Sequence, residues 1–179
     1  MIKIILTSLA VVLILFVVIA AVQPPNFRVA RSTSIATPPA VPFARVNDLH
    51  KWQEMSPYVK LDPAAKYTFE GPPAGNGAAL AWMGNAKVGE GRMTIVESRP
   101  NELIKMKLDF VKPFASTCMA EFSFKPEGDQ TSVTWSMTGE KNFVSKAMCL
   151  FMNMDKMVGG AFEEGLANMK SLSEAASKK

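Results

Sequence analysis

The chain has 179 residues, with 20 Lys and Arg against 16 Asp and Glu, and its net charge of +4 contains no long run of one sign. Such a spread offers no stripe for a polyanion, so nucleic acid is not an expected partner. One histidine and two distant cysteines cannot supply the three or four ligands of a zinc site, so neither a metal nor another cofactor is expected.

Ile4 to Val22 reads IILTSLAVVLILFVVIAAV, nineteen residues without a charge, and Lys3 stands just ahead of it. A helix of that length reaches about 29 Å, the thickness of a bilayer's hydrocarbon core. A cleaved signal has a shorter apolar region, and Val18-Ile19-Ala20 fits a small-x-small cleavage site poorly. Residues 1–25 are therefore expected to be an uncleaved transmembrane anchor, ended by Pro24 and Pro25, which lack the amide hydrogen a helix needs. Lys3 favours a cytoplasmic N-terminus and Arg28 with Arg31 the reverse; the expectation leans to a single-pass protein with an extracytoplasmic domain.

Residues 26–175 read as one domain, a usual size for a single core. Phe27 to Ile35 alternates as a strand, with Arg31 and Thr33 in the apolar phase at a wet end. Pro38 to Leu49 predicts a short helix, and Trp52 to Val59 a second helical or irregular piece that Pro57 interrupts. Tyr67–Glu70, Ala78–Met83 and Gly91–Glu97 predict strands, separated by the loop Gly71–Gly77 and the turn Gly84-Asn85.

Leu103 to Val111 gives the clearest period of two, with Ile104, Met106, Leu108 and Phe110 on one face. Ala115 to Phe124 repeats it with Cys118, Ala120, Phe122 and Phe124. After the turn Glu127-Gly128-Asp129, Val133, Trp135 and Met137 follow, so an antiparallel meander is expected. From Phe143 to about Ala175 the period becomes three to four, predicting one long amphipathic helix in which Gly159, Gly160 and Gly165 allow close packing or a bend. Residues 176–179 read as a disordered tail.

Leu61-Asp62-Pro63, Gly71-Pro72-Pro73, Trp82 with Gly84-Asn85, Gly89-x-Gly91, Arg99-Pro100 and Gly160-x-Phe162-x-x-Gly165-Leu166 stand in this order. With the element order, they make residues 27–172 similar to the START-like superfamily, also called SRPBCC or polyketide cyclase/dehydrase. The resemblance implies an α+β helix-grip fold: a curved antiparallel sheet wrapped around a long C-terminal helix, here behind an N-terminal transmembrane helix. It also implies a cavity for an apolar molecule such as a lipid, sterol or polyketide. By position the lining is expected from Trp82, Met93, Met106, Leu108, Phe122, Trp135, Met137, Phe151 and Met154. Ten of the twelve methionines, all but Met1 and Met55, lie in this part of the chain, and flexible thioethers suit an adaptable wall.

Catalytic signatures are missing. His50 has no serine and acid pattern around it, no G-x-S-x-G occurs, and the glycines between 71 and 91 lack the G-K-[ST] of a phosphate loop. Glu90, Glu97 and Asp109 read as solvated, Trp52 and Trp82 as either gate or core, and Cys118 with Cys149 as free thiols rather than a disulfide. The leading expectation is a membrane-anchored carrier or sensor for a hydrophobic small molecule or lipid. A cyclase or dehydratase, and a partner-binding domain with a filled core, remain the alternatives.

Overall fold

The computed structural model describes residues 2–141, 143–150 and 153–177. Helix α1 (Ile2–Ala21) leaves its apolar side chains bare along almost its whole length, from Ile4 to Ile19. Among the described residues it is the one helix long and apolar enough to cross a membrane, two properties that a signal sequence shares. Its last turn tightens before Pro24: the Val22 amide donates to the Val18 carbonyl (3.1 Å) and Gln23 to Ala20 (3.3 Å).

Strand β1 (Asn26–Ile35) follows after four residues. Strands β2 (Lys66–Glu70), β3 (Ala79–Met83), β4 (Glu90–Arg99), β5 (Leu103–Lys112), β6 (Ser116–Glu127) and β7 (Gln130–Glu140) form the expected meander. β1 closes it by pairing with β7, giving a seven-stranded antiparallel sheet in the order β1-β7-β6-β5-β4-β3-β2. The period of two becomes rungs across the inner face. One runs Ile95–Met106–Ala120–Met137–Val29 and the next Ile104–Phe122–Trp135–Arg31. A register shift between Ile95 and Glu97 in β4 marks a bulge, the usual device for bending a strand.

Between β1 and β2 the two expected helical pieces are α2 (Ala40–Asn47) and α3 (Leu49–Met55), their boundary falling at Asp48, which takes an extended backbone and whose side chain accepts from the His50 amide to start the second. Pro57 then opens a 3-10 turn, Pro57–Leu61. The C-terminal helix, expected as one, is in two pieces, α4 (Phe143–Cys149) and α5 (Met154–Ala176). Asn153 is extended and cannot continue a helix, and its side chain caps α5 by accepting from Lys156 N (2.9 Å).

The 23-residue α5 covers the inner face of the sheet. Phe162 stacks on Trp135 with centroids 3.9 Å apart, Trp135 stacks on Phe122 at 4.9 Å, and Trp52 meets Trp135 edge-on at 5.2 Å. Gly165 lets the helix approach: a Cβ there would lie 2.7 Å from the Trp135 ring. Gly160 instead faces open space. Arg31, the inward charge that looked misplaced in β1, reaches α5 and binds Asp155 (2.9 and 3.0 Å) and Glu163 (2.6 Å). Its guanidinium fills the place a Gly159 side chain would take. Alanine is the better helix former, so Gly160→Ala is expected to stabilise the protein by about 0.5–1 kcal/mol. Gly165→Ala overpacks Trp135 and is expected to cost about 1–3 kcal/mol; opposite shifts of the denaturant midpoint check the pair.

Candidate ligand-binding cavity

α5 and the α3 region fill one end of the curved sheet and leave the other open. The floor of the remaining cavity comes from Leu80 and Trp82 on β3, Met93 on β4, Met106, Leu108 and Phe110 on β5, Ala120 on β6, and Trp135 and Met137 on β7. These positions share the inner phase of their strands: Tyr67, Trp82, Gly91 and Phe110 form one rung, and Leu80, Met93, Leu108 and Cys118 the next. Gly91 belongs here by size, because a Cβ on it would come within 2.5 Å of the Trp82 ring. That indole lies over Gly91, meets Phe110 edge-on at 5.7 Å and donates its N–H to the Val88 carbonyl (3.3 Å).

Trp82, Met93, Met106, Leu108, Trp135 and Met137, named from the sequence, thus come together around one space. Phe122 does not border it. Fully buried, it lies behind Trp135 with Trp52 edge-on at 5.5 Å, so the two tryptophans separate it from the opening. Phe151 lies outside the described residues, as do the side chains of Met154 and Cys149. Trp52 is both core and wall, and Trp82 stands half-buried beside the rim.

The opposite wall is the part sequence reasoning missed. Gln53, Ser56, Tyr58 and Val59 from α3 and the 3-10 turn stand beside Trp52 and, with Tyr67 at the sheet's edge, bring residues carrying an amide and three hydroxyls to a lining expected to be almost wholly apolar. A 3-10 turn has no period of 2 or 3.6 to betray an inward face, so only the proline flanking it hinted at structure here. Burial raises the Tyr58 phenol above its ordinary value. Tyr67 is raised by burial and by the nearby Asp62 carboxylate. Both phenols stay protonated as hydrogen-bond donors at neutral pH. The Trp135 indole N–H is fully buried and has no partner among the described residues.

Asp62 is itself buried, accepting from Asn85 N (2.6 Å) and Ala64 N (3.1 Å). Two turn motifs far apart in the sequence, Leu61-Asp62-Pro63 and Gly84-Asn85, are thereby one structural unit that fixes the rim. The rim is residues 86–89 with Lys112 and Pro113, and the cavity measures about 280 Å³. Ligand sites start at roughly 300 Å³. Among the described residues no cluster of His, Cys, Asp and Glu could hold a metal, Cys118 is a buried free thiol, and His50 stacks on Phe69 (3.8 Å) outside the cavity.

A family described as "Polyketide cyclase / dehydrase and lipid transport" matches residues 26–174, most of the chain. The chain belongs to that family. Solved structures agree on the fold of this cyclase and lipid-transport family. Protein CV1439 from Chromobacterium violaceum is 13% identical with a TM-score of 0.56, covering 85% of this chain and 99% of its own. The di-domain ARO/CYC StfQ of the steffimycin biosynthetic pathway is 12% identical with a TM-score of 0.64, over 86% of this chain and 52% of its own. Ara h 8.0201 is 11% identical with a TM-score of 0.55, over 82% and 99%. No match is found among curated protein sequences.

The phenols give this family member a readable site, since Tyr58 and Tyr67 are its two tyrosines. In the folded state they hold protons that the unfolded chain releases near pH 10, so stability falls as pH rises above that value. Phenolate absorbance is expected to lag behind the ordinary range and then rise with unfolding. In Asp62→Asn, one of the two should titrate earlier; two phenols titrating at the ordinary value would contradict this assignment.

Proposed function

We propose that this protein is a membrane-tethered binding or carrier protein that holds a hydrophobic small molecule between its sheet and C-terminal helix. The observation that carries the reading is the open cavity itself, floored by Met93, Met106, Leu108, Met137 and three aromatic rings on an otherwise close-packed fold. Family membership and the likeness to an aromatase/cyclase favour a pocket for an apolar or polyketide-like molecule.

The volume bounds the ligand. At about 280 Å³ the cavity stands at the low end of the range for ligand sites. A single acyl chain segment or a small ring system fits, with anything longer leaving through the mouth; a diacyl lipid does not fit whole. Flexible methionines along the floor let the space adapt. The polar wall gives the ligand an orientation, with its oxygen towards Tyr58, Tyr67 or Gln53. Helix α1 is the anchor in this reading, residues 26–175 form the binding domain, and the domain faces the extracytoplasmic side.

All three tryptophans of the chain line the cavity, so binding is directly visible. A polyene fatty acid added to the full chain in nanodiscs is expected to accept excitation energy from them. Ala120, opposite Met106 and Met137 on the floor, is the place to block it. Ala120→Phe is expected to reduce the transfer at least about tenfold, a loss of about 1.4 kcal/mol of binding. Equal transfer in both forms would place the probe in the bilayer and contradict the proposal.

Hydroxyls in the wall also favour a second reading, a cyclase that positions an enolate. Tyr58→Phe would then abolish turnover of a poly-β-ketone analogue and leave fatty-acid uptake unchanged.

A further inference from the structure

The rungs of the sheet fix which loops share an end. Asn26 pairs with Glu140, Gly139 with Cys118, Phe110 with Ser116, Lys112 with Glu90, and Met83 with both Glu90 and Lys66. The start of β1 therefore stands at the same end as the β3–β4 loop (84–89) and the β5–β6 turn (113–115). Loops 84–89 and 113–115 supply the cavity rim, while loops at the opposite end, 71–78, 100–102 and 128–129, contribute nothing to the lining. The mouth of the cavity and the exit of α1 are thus at one end of the sheet.

Four residues separate Ala21 from Asn26. Fully extended they span at most about 14 Å, against a headgroup layer of roughly 5–8 Å on each side of the hydrocarbon core. The connection is braced as well. Lys141 N donates to the Pro25 carbonyl (2.6 Å), and Lys146 Nζ donates to the Ala21 carbonyl at the C-terminus of α1 (3.2 Å), where a cation suits the helix dipole. A domain held so closely cannot lift this end far from the bilayer.

The surface of that end matches the interface. Val111 and Phe114, 60% and 54% exposed, project from the β5–β6 hairpin, and Met83 and Phe143 are exposed at the same end. Towards the other end Val96 and Phe69 are less exposed, 42% and 37%, with the His50 ring stacked on Phe69. Arg28, Lys87, Lys112 and Lys141 stand against Glu90 and Glu140 there, and Glu90 is already bound to Lys112 (2.7 Å).

We propose that this end of the domain docks on the membrane that holds α1. The 111–114 hairpin inserts Val111 and Phe114 among the headgroups, the basic residues meet anionic lipids, and the cavity opens onto the bilayer interface, so that a single-chain amphiphile enters without crossing water. Exposed apolar tips beside basic side chains are the combination by which peripheral elements lie in the interface. This rests on α1 being an anchor, as in the proposed function, and is tested apart from ligand binding.

The test uses the full chain, in a Cys118→Ala, Cys149→Ala background, reconstituted into phosphatidylcholine vesicles containing phosphatidylglycerol. A spin label at Ala115→Cys reports the hairpin and one at Asp129→Cys the opposite end. The label at 115 is expected to collide more readily with dissolved oxygen than with a water-soluble nickel chelate, and the label at 129 the reverse. Adding Val111→Asp and Phe114→Asp should return the 115 label to water while the chain stays on the vesicles through an alkaline carbonate wash. A 115 label as accessible to nickel as the 129 label, on a chain that survives the wash, overturns docking alone. A chain removed by the wash overturns the anchor beneath it.

Discussion

The fold depends on a single covering contact. A seven-stranded sheet curled to one side must bury its inner face, and one helix does so, seated where Phe162 lies flat on Trp135 and Gly165 brings the backbone against the same ring. Stacking at this distance combines the apolar burial of two large rings with a favourable aromatic geometry. One helix is narrower than the sheet it covers. The rungs carrying Phe122 and Trp135 are filled by α5 and Trp52, whereas the rungs carrying Met106, Leu108 and Trp82 leave a space between themselves and α3 with its 3-10 turn. The cavity is a consequence of how the sheet is capped.

Much of this was legible in the sequence, for a reason visible in particular residues. Period two in Ile104–Phe110 and Cys118–Phe124 states directly which side chains face inward, and the registers of short hairpins then align Met106 with Ala120 and Ala120 with Met137. Alternation cannot tell how far a ring on that face will be overlaid. Phe122 and Met106 share a phase, but Trp52 arrives from a helix with no periodic link to the sheet and covers only the first. The breaks at Asp48 and Asn153 depend on backbone conformations that capping residues permit without dictating. The polar wall escaped because its residues are split among α3, the 3-10 turn and β2, so no single period joins Gln53, Tyr58 and Tyr67.

The charges that appeared anomalous in the sequence are structural. Arg31 occupies the inner phase of β1 because α5 passes over it and supplies Asp155 and Glu163. That pairing holds the Asp155 carboxylate below its ordinary range, so its contribution is present at neutral pH and fades as acid protonates it. Being exposed, the pair orients the first turns of α5 more than it stabilises them. Buried Asp62 plays the matching part at the rim. Both tie together segments that the sheet's own hydrogen bonds do not reach, Arg31 joining β1 to α5 and Asp62 joining its own turn to the loop at the cavity rim.

Occupancy of the cavity is read by native mass spectrometry of the full chain, released in mild detergent from the cells that make it. An adduct of one single-chain or small-ring apolar molecule per chain is expected, removed by organic extraction and diminished in Ala120→Phe. A bare mass that takes up nothing from a lipid extract of the same cells would contradict it and leave a domain that uses its surface, not its interior.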